Sequence, residues 1–81
     1  MDPFEFRIWL DQRPFRPIRL VLTDGRTFDI MHPELALVEL TAVTIGMRDS
    51  TREALVADRM VMVSLGHIAQ VEVLETAPPV R

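Results

Sequence analysis

The residues best suited to chemistry are two histidines and a set of arginines grouped around one aromatic. His32 and Glu34 flank Pro33, and His67 follows Gly66. A metal held by His32 and Glu34 needs a further ligand such as His67, with partners that orient the rings. The plainer reading is that His32 ends a strand, Pro33 sets the turn after it, and His67 closes a tight turn through a backbone hydrogen bond. On that reading no catalytic residue, no metal ligand and no cofactor site is expected. No serine or threonine has a recognisable base and orienting acid near it in sequence. Three isolated glycines do not make a phosphate-binding loop. Arg13, Arg16 and Arg19 surround Phe15. Basic residues interleaved with an aromatic hold phosphates and stack bases, which makes Arg13, Phe15, Arg16 and Arg19 the candidate nucleic-acid contacts. The bland counterpart is a solvated linker whose Phe15 packs against the core.

Composition narrows the classes. With 81 residues the chain holds one domain. A domain of this size buries only about 60–65% of the surface its unfolded chain exposes, so it benefits from disulfides, a metal or self-association. There is no cysteine, which removes disulfides and thiolate zinc sites and fits a reducing compartment. Hydrophobic residues at 48% supply ample core, and self-association is the stabiliser that remains. The net charge of −3 argues against a nucleic-acid binder, which usually carries a basic surplus. Every basic side chain is arginine. That suits bidentate contacts, or simply reflects base composition. No apolar run approaches the ~18 residues of a membrane helix and no secretory leader is visible, so the expected location is cytoplasmic.

The elements that must position these residues start with a helix. Asp2 caps it, Pro3 suits the first helical position and Glu5 completes a capping box. It is expected to run to about Gln12, where the Arg13-Pro14 and Arg16-Pro17 pairs end it. Phe4 and Ile8 lie on one side of it; Phe6, Trp9 and Leu10 lie on the other. One stripe covers a sheet, and the second needs a partner or stays exposed.

Strands follow. Residues 17–22 alternate, with Ile18, Leu20 and Leu22 on one face; residues 27–32 alternate, with Phe28 and Ile30 inward. A two-residue Asp24-Gly25 loop would set the two apolar sets on opposite faces. A three-residue loop, Thr23-Asp24-Gly25, pairs Leu20 with Phe28 and Ile18 with Ile30, and puts Gly25 at the left-handed position such loops need. Pro33-Glu34 breaks the strand. Residues 35–47 read as one long third strand with a bend or bulge near residues 36–40. Residues 48–53 read as a loop, 56–65 as a fourth strand, and 68–74 as a fifth after the Gly66-His67 turn. The fourth, around Met60 to Val63, reads as apolar on both faces. One domain over residues 1–75 and a disordered tail over 76–81 are expected.

A helix followed by five bent strands resembles the Sm-like fold of Sm and Hfq proteins over about residues 2–74. Asp2-Pro3-Phe4 resembles the start of the Hfq helix. Asp24-Gly25-Arg26 with Phe28 resembles the opening of the first Sm box, and Leu65-Gly66-His67-Ile68 resembles the second box, one residue shorter. A more specific similarity joins Pro14-Phe15-Arg16-Pro17, Asp24-Gly25-Arg26-Thr27-Phe28 and His32-Pro33-Glu34 to a group of small bacterial proteins of unknown function. The resemblance implies a mainly β fold: an N-terminal helix followed by a five-stranded, strongly bent antiparallel Sm-like (SH3-like) open barrel. It also implies rings closed by joining the fourth and fifth strands edge to edge. The RNA-reading pattern of Sm proteins, Asp-x-x-x-Asn, has no counterpart in residues 33–40, and the Lys-His pair of Hfq is absent near residues 64–66. A fold is inherited more readily than a site.

The expectation is therefore a non-enzymatic small-barrel interaction module that forms a homo-oligomer, without cofactors and with its ligand unidentified. Met60, Val61, Met62, Val63, Val71 and Val73 are the expected oligomer interface. The stripe of Phe6, Trp9 and Leu10 would add a further contact. RNA binding through the arginine-rich N-terminal face is the alternative.

Overall fold

The computed structural model describes residues 1–47 and 57–74. The N-terminal helix α1 (Pro3–Leu10) carries the expected capping box: the Phe4 N–H donates to Asp2 at 2.7 Å and the Asp2 N–H to Glu5 at 3.2 Å. It stops two residues short of the expected end, at Asp11, whose N–H donates to the Arg7 carbonyl. Phe6 and Leu10 are completely buried in the core, with Trp9 packed beside them. The opposite stripe stays exposed, Phe4 at 75% and Ile8 at 63%. The contact expected of Phe6, Trp9 and Leu10 with another subunit is thereby corrected. A helix that must cover the core with few large side chains uses those, and leaves Phe4 and Ile8 unpartnered.

Six strands follow in the described residues: β1 (Ile18–Leu22), β2 (Thr27–Ile30), β3 (Ala36–Val38), β4 (Ala42–Met47), β5 (Arg59–Ser64) and β6 (Ile68–Val73). They form two three-stranded antiparallel sheets, ordered β2-β1-β6 and β3-β4-β5, and no closed barrel. The first hairpin has the expected register, Leu20 opposite Phe28 and Ile18 opposite Ile30. Gly25 has a φ of 92°, its N–H donates to the Leu22 carbonyl, and the Leu22 N–H donates to the Arg26 carbonyl.

The five-strand count is corrected. Residues 35–47 are not one bent strand but a 3-10 turn, Pro33–Leu35, followed by the β3–β4 hairpin. Ala36 lies opposite Ile45 and Val38 opposite Val43. The irregular alternation near residues 36–40 marks a chain reversal: the Glu39 N–H donates to the Ala42 carbonyl and closes a tight turn. The fourth strand's two apolar faces are both present and differ in burial within one chain. On β5, Val63 is buried and Val61 half-buried, whereas Met60 and Met62 are 66% and 68% exposed. The 48–53 loop, the start of the fourth strand at Val56 and the 76–81 tail lie outside the described residues.

The inner faces of both sheets meet in one core: Ile18, Leu20 and Leu22 of β1, Ile30 of β2, Val43 and Ile45 of β4, Val63 and Leu65, and Ile68. Each such side chain contributes about 1.5–3 kcal/mol on burial. The chain turns from β5 into β6 through a second 3-10 turn, Leu65–His67, where the Met1 amino group donates to the Leu65 carbonyl at 3.1 Å. No helix among the described residues is long and apolar enough to cross a membrane.

Candidate assembly interface

Antiparallel ladders alternate between pairs that exchange hydrogen bonds and pairs whose N–H and C=O groups point the other way. The Leu65 N–H donates to the Thr41 carbonyl, which fixes the phase along β4 and β5. Val61 and Val63 therefore bond to β4, and Met60 and Met62 direct their backbone groups to the outer edge. The Leu74 N–H donates to the Pro17 carbonyl, which fixes the phase along β1 and β6. Gln70 and Glu72 bond to β1, and Val71 and Val73 direct their backbone groups to the outer edge. Each of these two strands has a neighbour on one side only among the described residues.

Side chains follow the other alternation. Val61 and Val63 of β5, and Val71 and Val73 of β6, lie on the inner faces, opposite the inward Ile45, Val43, Leu20 and Ile18 respectively. Val63 is core, while Val61 and Val71 pack against the core from positions only half-buried. Val73 is 37% exposed, the least covered of the four. Met60 and Met62 stand on the outer face. Leu37 of β3, 61% exposed, joins Met62 there across Thr44. Sequence reasoning missed Leu37, because its face becomes readable only once residues 35–47 are divided into a hairpin.

The outer face of the first sheet is different. Arg19 donates to both Asp29 oxygens, Nε at 2.7 Å and a terminal nitrogen at 3.1 Å. Those hydrogen bonds, the Asp29 charge and Glu72 nearby hold the guanidinium proton more firmly than usual. The pair is partly exposed and of small energetic weight, but it leaves this face polar.

The candidate nucleic-acid contacts do not form one platform. Arg19 is engaged by Asp29. Arg13 donates to the carbonyls of Leu10 and Gln12 at the helix exit. Phe15 packs against the core. Arg16 is exposed, with no partner among the described residues. The histidines lie apart as well. The His67 carbonyl accepts the Thr23 N–H at the hairpin end of the first sheet, and His32 follows Ile30 at the other end. The intervening strand, Ile18 to Leu22, spans about 13 Å at ~3.3 Å per residue. No group of three or more metal-ligating side chains occurs among the described residues.

Comparison with family models, with curated proteins and with solved structures returns no match to any of them.

Proposed function

We propose that this chain is a non-enzymatic small-barrel interaction module whose copies assemble head to tail, the β5 edge of one joining the β6 edge of the next. The observation that carries the reading is the pair of strand edges that have no neighbour among the described residues and whose inward valines, Val61, Val71 and Val73, are incompletely covered. Free edges invite pairing with another chain unless they are blunted, and neither strand contains a proline. Joining the two edges would satisfy the backbone groups of Met60, Met62, Val71 and Val73. It would also set valine beside valine, continuing the core across the junction. The resemblance to Sm-like barrels supports the same route. Because the two edges differ, the contact is heterologous, and it closes into a ring where the rotation permits.

Support for the RNA alternative is thinner. Of the three arginines proposed for it, Arg19 is tied to a carboxylate and Arg13 to backbone carbonyls.

Sedimentation equilibrium at micromolar concentration tests the assembly. The expected mass is a multiple of the 9.3 kDa chain. Met62→Pro removes an N–H that faces the edge without breaking the β4 ladder, a position where strands tolerate proline, and should shift the mass to a single chain. A native protein with the mass of one chain throughout would overturn the reading. An assembly that survives Met62→Pro unchanged would place the contact elsewhere.

A further inference from the structure

The second exposed edge of the first sheet carries a different site. The phase of the first hairpin is set by the Leu22 N–H donating to the Arg26 carbonyl. Ladder alternation then assigns the bonded pairs to Leu20 with Phe28 and Ile18 with Ile30. Thr27 and Asp29 consequently turn their N–H and C=O groups away from β1. The described residues place no strand beside them.

Next to that row lies a cleft of about 420 Å³ between the two sheets. Its walls include Asp29, Ile30 and Met31 on the β2 side, and Leu35, Ile45 and Met47 on the other. The cleft is within the range of ligand-sized pockets, about 300–1,000 Å³, and its lining is mostly apolar as theirs is. A compact apolar ligand would fill it yet leave the edge groups of Thr27 and Asp29 to water. An extended peptide strand meets both features. Its main chain pairs with the edge, and every second side chain drops toward the apolar wall.

We infer that the β2 edge and the adjoining cleft bind a short extended peptide with apolar side chains at alternate positions, added as a strand beside Thr27 and Asp29. The site is at the opposite side of the first sheet from β6, so it does not depend on the assembly proposed above.

The experiment is a titration of the isotope-labelled native protein with a short acetylated peptide of alternating threonine and valine, followed by amide shifts and amide hydrogen exchange. The same peptide methylated on its internal nitrogens is the control, since it keeps the side chains and loses the main-chain donors. Slowed exchange at Thr27 and Asp29 with shifts at Ile30 and Ile45 is expected, and the methylated peptide should produce neither. Thr27→Pro, which removes one edge donor and no ladder bond, should weaken binding about fivefold, the worth of one hydrogen bond. Met31→Lys, at a rim position already 49% exposed, should also weaken it. No response at millimolar peptide, equal binding of the methylated control, or protection confined to β5 and β6 would each overturn the inference. The methylated control acts on the native protein, so a poorly folded variant leaves the test decisive.

Discussion

Gly25 shows how a single residue sets the pairing of everything around it. Its φ of 92° lies in the left-handed region, and a Cβ built there meets no atom within 4 Å. The obstacle to substitution is therefore backbone conformation and not space. Gly25→Val should cost more than ~1 kcal/mol, because a β-branched side chain resists that conformation; Gly25→Asn should cost less. Urea unfolding midpoints check both, and an unchanged midpoint for Gly25→Val would refute the turn argument. Asp24, beside it, accepts the Arg26 N–H at 3.0 Å and the Arg26 Nε at 2.9 Å. The backbone N–H of Arg26, ahead of its side chain, holds the Asp24 carboxyl below its ordinary range. A folded value below the unfolded one means stability that is present above the unfolded value and lost as pH falls through the folded one. Asp24→Asn should therefore be the less stable protein at neutral pH, with the gap closing in acid. The effect will be modest because the group is exposed. Unfolding midpoints of both proteins at pH 7 and pH 3 test this, and a gap independent of pH would count against it.

At the scale of the element, α1 divides its apolar residues sharply. Phe6 is fully buried and Phe4 is 75% exposed, though they stand two positions apart. Phe6→Ala should cost about 3–5 kcal/mol, the usual range for a large core aromatic. Phe4→Ala should lie within about 0.5 kcal/mol of native, as a surface change away from special features does. Thermal unfolding of the two variants is the check, and comparable losses would mean that the Phe4 side is covered. The composition of the helix shows two apolar stripes but not which one faces the core, because the choice depends on how the helix docks. The strands divide in the same way. The first hairpin was legible because the turn chemistry and two alternating runs admit one common register. The β3–β4 hairpin was not. Its first strand, β3, has only three residues, and the Glu39-Leu40-Thr41 reversal has neither glycine nor proline to announce it.

For the whole molecule, charge separates the two functional readings. With a net charge of −3 and Arg19 paired, the protein should bind short uridine-rich single strands weakly at physiological salt. A fluorescence titration at two salt concentrations measures this. Sub-micromolar affinity that falls steeply with salt, as phosphate contacts require, and falls again for Arg16→Glu, would restore the RNA reading. A Val61→Arg, Val63→Arg double change would be a poor test of assembly, because Val63 is 3% exposed and opposes Val43 in the core. Met62→Pro acts on the edge itself.

Local rules carried the capping box, the Gly25 turn, the register of the first hairpin, the mainly β class and the inward set Ile18, Leu20, Leu22 and Ile30. Each depends on residues a few positions apart, so spacing and backbone preference determine it. Tertiary structure alone decided that Phe6 and Leu10 enter the core while Phe4 and Ile8 do not. It also decided that Met60 and Met62 face outward and that Arg19 is bound to Asp29. Those outcomes depend on which distant segments pack together, and pairing between remote strands leaves no periodic trace in either one.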